Sequence, residues 1–156
     1  METIQKETKF LSQKTEITYE MEINAAAGAV FPLLCPTREY DWIPTWGCDL
    51  VYSETGYAED MCVFTTDGHL YGKETWVCTR HEVPERVQYT RFISHLVMRL
   101  DIKLTISGAQ RSSWSWTLST VSLDETGNHI IKTMKDGSIV TTYQNLEKLL
   151  NKYLNP

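Results

Sequence analysis

The stretch VMRLDIKLTISGAQRSSWSWTLSTV, residues 97–121, decides the fold. In its first half every even-numbered residue is apolar and, Val97 apart, the odd-numbered residues are polar. In its second half two tryptophans and a leucine alternate in the same way with serines and a threonine. Alternation with a period of two is typical of a strand with one buried face. The stretch therefore predicts two strands, 97–107 and 112–121, which pair antiparallel across a short connection at Gly108.

Toward the N-terminus the same pattern recurs between turn signals. It predicts five more strands at residues 15–23, 48–54, 61–66, 69–82 and 86–93. The turn signals are Thr55-Gly56, Asp67-Gly68 and Val83-Pro84. Seven strands in succession with one apolar face need another element to cover that face.

Toward the C-terminus the period changes to that of a helix. From Ile139 to Tyr153 apolar residues recur at spacings of three and four, which is typical of an amphipathic helix. The Asp136-Gly137 pair interrupts the pattern, so we expect either one kinked long helix or a short helix followed by one from about Ser138 to Tyr153. In this helix Glu147 and Asn151 are expected to face solvent.

The segment between the first two strands is irregular and rich in aromatic residues. It reads VFPLLCPTREYDWIPTW, residues 30–46, and its prolines predict short helical turns rather than a long helix. The aromatic group around Trp42 and Trp46 suits a hydrophobic plug at one end of the sheet and the rim of a pocket equally well.

Composition limits the possible functions. The chain has 156 residues, which suits one domain over residues 15–154 after a flexible N-terminal segment, 1–14. The net charge is −5 and no basic cluster is present, which argues against nucleic-acid binding. No run is long enough for a signal peptide or a membrane span, so a cytoplasmic protein is expected.

The four cysteines form no C-x-x-C pair and no cluster with histidines, and we expect them to be buried thiols. No metal site and no cofactor are predicted.

The order of the elements, together with residues 30–46 and the phrase SLDETGN at 122–128, resembles the START-like superfamily, also called SRPBCC. This group includes the birch-pollen-allergen fold and the polyketide cyclase/dehydratase group. The likeness spans residues 15–154, and uncharacterised bacterial members share a phrase similar to CPxREYDWI.

The resemblance implies an α+β helix-grip fold. A seven-stranded curved antiparallel sheet, with two short helices after strand 1, wraps around a long C-terminal helix and leaves an elongated cavity. Family members hold lipids, sterols, plant hormones, aromatic polyketides or quinones. Some catalyse cyclisation or dehydration and others bind proteins, so the fold does not fix the function.

Candidate cavity residues follow from the alternation and from the aromatic content, although core packing alone also explains some of them. They are Trp42, Trp46, Phe64, Glu74, Trp76, Tyr89, His95, Leu100, Trp114, Trp116, Met134 and Tyr143.

Two of these candidates are polar. An inward Glu74 is either an acid or base whose pKa burial raises, or it pairs with an inward arginine such as Arg80, or a bulge at Gly72 turns it outward. His95 lies between two strands whose apolar faces line the expected cavity, and it either orients a ligand there or hydrogen-bonds a loop.

Three functions remain open. The first is binding of a small hydrophobic or aromatic molecule (lipid, polyketide or quinone-like) by a monomer or homodimer. The second is a cyclase or dehydratase acting on such a molecule, and the third is a protein-interaction module. A G-x-S-x-G elbow, a Walker loop and a G-x-G-x-x-G are absent, so no local motif names a catalytic residue.

Overall fold

The computed structural model describes residues 10–68, 72–134 and 137–156 and shows one antiparallel sheet with a long C-terminal helix. The strands are β1 (Lys14–Ile23), β2 (Asp49–Tyr52), β3 (Val63–Gly68), β4 (Gly72–Glu82), β5 (Arg86–Ile93), β6 (Leu96–Ser107) and β7 (Ser112–Ser122). Their order in the sheet is β1-β7-β6-β5-β4-β3-β2. The predicted α+β class and the seven strands are confirmed.

The helical elements fall in two groups. After β1 come α1 (Ala27–Val30) and two 3₁₀ turns, Phe31–Leu33 and Glu39–Asp41. After β7 come α2 (Glu125–Thr133) and α3 (Ser138–Leu154). Of the two expected C-terminal arrangements, the short helix followed by a long one is therefore present. Gly137 precedes α3 with a φ of 86°, a left-handed conformation that glycine adopts without a steric penalty.

The alternating stretch places its apolar residues in the core. Trp114, Trp116 and Leu118 of β7 are buried, and Tyr143 and Leu150 of α3 are buried against the sheet. The hydrophobic effect thus selects one face of the sheet and one stripe of α3.

Two polar residues of α3 fasten it to the edge strand β1. The carboxylate of Glu147 accepts hydrogen bonds from the Tyr19 hydroxyl and the Glu22 backbone N–H, both at 2.7 Å. The Asn151 side chain bonds the backbone of Asn24 and Glu22 at 2.8 and 2.9 Å. The expectation that Glu147 and Asn151 only face solvent is wrong, because β1 is a sheet edge with free backbone groups.

Two local predictions around β4 also need correction. Asp67 and Gly68 pair with Lys73 and Gly72 in the sheet, so the turn predicted at Asp67-Gly68 is not there. The register of β4 shifts between Cys78 and Arg80, not at Gly72. The start of the predicted strand at 69–71 lies outside the described residues.

Among the helices of the described ranges, none has the length and apolar character needed to cross a bilayer.

Candidate functional site

A cavity of about 430 Å³ lies between the sheet and α3. Each of the strands β3 to β7 contributes a pair of residues two positions apart to its wall, as expected when every second residue points to one face, and the end of β3 contributes two more. The pairs are Phe64 and Thr66, Glu74 and Trp76, Tyr89 and Arg91, Leu100 and Ile102, and Trp116 and Leu118. The rest of the wall comes from the end of β3, from the segment before β2 and from α3: Asp67, Gly68, Glu39, Ile43, Thr45, Trp46, Gly47, Thr142, Tyr143 and Leu146.

Most of the residues that the sequence singled out meet at this cavity. They are Trp46, Phe64, Glu74, Trp76, Tyr89, Leu100, Trp116 and Tyr143. Their shared location is a geometric fact, and a role in ligand binding stays a prediction.

The structure places two predicted tryptophans in the core, outside the cavity wall. The indole N–H of Trp42 donates to the backbone oxygen of Leu33 at 2.9 Å, which closes the irregular segment on itself. The indole N–H of Trp114 donates to Ser112 Oγ at 2.8 Å, and its ring stacks on Phe31. Both side chains are therefore part of the packed core. Of the two tryptophans in the irregular segment, Trp42 forms the plug and Trp46 lines the cavity.

Met134 and His95 also lie away from the cavity. Met134 is buried at the C-terminal end of α2. His95 Nδ1 lies 2.7 Å from the carboxylate of Asp124, the N-cap residue of α2. The histidine follows β5 in the turn to β6, and the helix after β7 returns to that turn, so the histidine meets the helix cap rather than the cavity.

Stacked aromatic rings form one side of the cavity. Phe64 and Trp76 are neighbours on β3 and β4, with ring centroids 5.4 Å apart and planes inclined by 12°. Tyr89 meets both rings edge-on, and Trp46 meets Phe64. These geometries are favourable for aromatic pairs and leave ring faces and edges for a planar ligand.

Arg91 and Glu74 place charge on the wall. Glu74 is 7% exposed, and its Oε2 lies 3.5 Å from Arg91 Nη1 and 3.3 Å from the Thr66 hydroxyl that donates to it. The guanidinium of Arg91 also lies over the Trp76 ring. Burial lowers the pKa of Arg91, and the nearby Glu74 opposes that shift.

The pairing of Glu74 with an arginine was among the expected alternatives, but the partner is not Arg80. Arg80 lies beside Glu82 on the exposed side. Sequence reasoning did not name Arg91, although the alternation of β5 puts it on the same face as Tyr89.

Glu39 is the second ionisable group that sequence reasoning missed. It lies in a 3₁₀ turn, lines the cavity, and its carboxyl group has no hydrogen-bond or ion-pair partner among the described residues. Burial raises its pKa to about 8. The side chain of Glu39 retains partial access to water. The signal in the sequence was a carboxylate within an aromatic-rich segment.

Two polar side-chain groups near α3 also have no hydrogen-bond partner in the described part of the chain. The Tyr143 hydroxyl has no hydrogen-bond partner in the described ranges, and burial raises its pKa to about 12. The buried Trp116 indole N–H has no partner among the described residues either, and the rings of Trp116 and Tyr143 lie 5.4 Å apart. Buried donors of this kind carry a desolvation cost that an acceptor can relieve.

A second, smaller depression of about 310 Å³ lies elsewhere, lined by Phe31, Pro32, Cys35, Arg38, Tyr57, Ala58, His81 and Val83. None of the candidate residues from the sequence lines it. The cavity between sheet and helix is the stronger candidate, because it combines an aromatic wall with convergent polar groups.

A seven-stranded antiparallel sheet holds the long C-terminal helix over this cavity, so the chain has the helix-grip fold. No protein-family model matches the sequence, and no curated protein matches it by sequence.

Three solved structures illustrate the likeness. The protein Mll3558 from Rhizobium loti has a TM-score of 0.64 at 12% identity, covering 92% of this chain and 99% of that one. Norcoclaurine synthase from Thalictrum flavum, in complex with dopamine and hydroxybenzaldehyde, has a TM-score of 0.65 at 10% identity, with coverages of 90% and 88%. CalU16 from Micromonospora echinospora has a TM-score of 0.58 at 11% identity, with coverages of 94% and 88%. At such low identity the likeness concerns the fold alone.

Proposed function

We propose that this protein binds a small hydrophobic or aromatic molecule in the cavity between the sheet and α3. The observation that carries the proposal is the cavity itself, about 430 Å³ with a mostly apolar and aromatic wall. Small-molecule sites are of this size and composition, with a few polar groups that orient the ligand.

The aromatic wall favours a planar ligand. Phe64, Trp76 and Tyr89 present both faces and edges of rings, so a flat ligand gains stacking as well as burial. The norcoclaurine synthase structure holds dopamine and hydroxybenzaldehyde, two small aromatic molecules, in a chain of similar fold. That supports an aromatic ligand class without naming this protein's ligand.

Two measurements test binding. Native mass spectrometry of the protein from its producing cells would reveal a co-purifying small molecule. Fluorescence titration with N-phenyl-1-naphthylamine, a neutral apolar probe, would report an accessible apolar cavity. We expect saturable binding with one site per chain.

A cavity-filling variant locates the probe. Leu100→Trp places a larger side chain on the cavity wall and should abolish saturable binding, with circular dichroism unchanged. Leu123→Trp introduces the same side chain at an exposed position and should bind as the wild type does. Equal probe binding by both variants would place the probe elsewhere and refute the proposal.

Catalysis on a bound ligand is the second candidate function. The observation that favours it is that an acid and a cation, Glu39 and Arg91, both line the cavity. Groups with a shifted pKa in a cleft are candidates for acid–base chemistry. The test is conversion of a recovered ligand by the wild type and its loss in Glu39→Gln.

A further inference from the structure

Several polar groups of the cavity are already engaged by the protein. The carboxylate of Glu74 accepts a hydrogen bond from Thr66 and pairs with Arg91. The hydroxyl of Tyr89 donates to the backbone oxygen of Leu34 at 2.7 Å. The proton of the Tyr89 hydroxyl is therefore unavailable to a ligand, and Oε2 of Glu74 faces Thr66 and Arg91.

Other groups of the wall can donate a hydrogen bond to a ligand. The guanidinium of Arg91 reaches Glu74 at 3.5 Å, and its Nε and Nη2 face the sulfur of Met98, a weak acceptor. The Tyr143 hydroxyl and the Glu39 carboxyl have no partner in the described part of the chain. Asp67 is an acceptor, but it lies exposed at the edge of the cavity.

Glu39 can also donate a hydrogen bond, because burial favours the protonated form of its carboxyl group. Burial keeps its pKa near 8, so the carboxyl carries a proton at neutral pH. The titratable groups near it are Tyr89 of β5 and Cys48, which precedes β2, and neither is cationic at that pH. Within the described wall, Arg91 is the single cation, opposed by Glu74.

We infer that the cavity selects an aromatic ligand that carries an oxygen acceptor, such as a ketone or aldehyde carbonyl, and that Glu39 donates the hydrogen bond to that oxygen. This inference rests on the proposed function and adds the polarity of the ligand. We expect an aromatic amine to bind more weakly than the ketone. Its ammonium group would need an ionised Glu39 as a partner, and burial disfavours the ionised form of that carboxyl group.

Three naphthalenes of similar shape provide the test: 2-acetylnaphthalene, 2-ethylnaphthalene and 1-(2-naphthyl)ethylamine. Each competes with N-phenyl-1-naphthylamine for the wild type, for Glu39→Gln and for Glu39→Leu. The measured quantity is the ratio of the ketone's affinity to the hydrocarbon's affinity. We expect this ratio to fall about tenfold in Glu39→Leu, the effect of one buried hydrogen bond. Glu39→Gln keeps an N–H donor and should retain most of the preference.

The pH dependence gives an independent readout. In the wild type the preference for the ketone should decline as the pH rises through about 8, when Glu39 loses its proton. In Glu39→Gln it should not change over that range. Glu85→Gln makes the same substitution in an exposed turn and should behave as the wild type.

The outcomes separate the two proposals. Equal ratios in the wild type and Glu39→Leu, or tightest binding of the amine, would overturn the inference and leave a ligand-binding cavity. Failure of the probe and of all three naphthalenes to bind would overturn the proposed function as well.

Discussion

The guanidinium carbon of Arg91 lies 4.6 Å from the centroid of the Trp76 ring, on the wall of the cavity. The same guanidinium is the partner of Glu74, which is almost fully buried. One arginine thus gives an aromatic ring a cation–π contact and gives a buried carboxylate its counter-charge.

Arg91→Met should destabilise the fold because it leaves the Glu74 carboxylate buried and unpaired. We expect a loss of about 3 kcal/mol in the free energy of unfolding, measured by urea denaturation at pH 7. The double variant Arg91→Met/Glu74→Gln should recover most of that loss. Arg80→Met removes an exposed arginine beside Glu82 and should cost less than about 1 kcal/mol. Similar losses at both arginines would contradict this account.

Glu39 should make stability depend on pH. Its pKa is raised from 4.5 to about 8, so the folded chain retains a proton that the unfolded chain releases between these values. The contribution of Glu39 therefore falls as the pH rises from about 4.5 to about 8.

Glu39→Gln removes that fall. At alkaline pH the variant should exceed the wild type in unfolding free energy by about 2 kcal/mol, less than the full shift implies because the side chain has partial access to water. Urea denaturation at acid and alkaline pH measures the difference, with Glu85→Gln as the matched charge control. Parallel pH profiles for Glu39→Gln and the wild type would show that folding does not raise the pKa of Glu39.

Gly127 should tolerate no side chain. A Cβ at this position would collide with the backbone oxygen of His95 and lie 3.0 Å from Ser122 Cβ. Gly127→Ala should cost about 2 kcal/mol, because the backbone of the β5–β6 turn must shift. Gly28→Ala, where nothing lies within 4 Å of the added atom, should be neutral or stabilising. Thermal denaturation distinguishes the two, and equal effects would refute the close approach.

Asp124 should stabilise α2 through two bonds. Its carboxylate accepts from the Gly127 N–H at 2.8 Å and lies 2.7 Å from His95 Nδ1. The bond with His95, and then that with Gly127, lowers the pKa of Asp124. A lowered carboxyl pKa stabilises the fold above the unfolded pKa and loses that effect as the pH falls through the folded value.

Two substitutions at Asp124 separate the contribution of the helix cap from that of the carboxylate charge. Asp124→Ala should lower the melting temperature at pH 7 more than Asp124→Asn, because asparagine still caps the helix. The deficit of Asp124→Asn relative to the wild type should shrink in acid, as the wild-type carboxylate takes up its proton. A deficit that is constant from pH 7 to about pH 3 would exclude a charge effect.

The inward side chains of the sheet were largely predictable, and the reason is local. Phe64, Trp76, Tyr89, Leu100 and Trp116 all follow from alternation, which depends on backbone geometry within one strand. Arg91 follows from the same alternation, but an arginine is ordinarily placed outside. Its inward position depends on Glu74 and Trp76, which a neighbouring strand supplies.

Residues in irregular segments were harder to place. Trp42 and Trp46 are four residues apart in one aromatic segment, yet one is a plug and the other lines the cavity. Glu39 lies in the same segment, where no periodic pattern of apolar residues indicates which way its side chain points. His95 was placed near the cavity by its strands, but the N-terminus of α2 returns to that turn and holds it.

The sequence by itself determined the strands, the helical cover and the face of each strand that is buried, because these follow from the period of apolar residues along the chain. Only the tertiary structure decided which buried residues fill the core and which line the cavity. That choice depends on the distance between α3 and each part of the sheet, and this distance results from contacts between residues far apart in sequence. The same long-range packing brings Glu39 to the cavity and withdraws it from water, which raises its pKa.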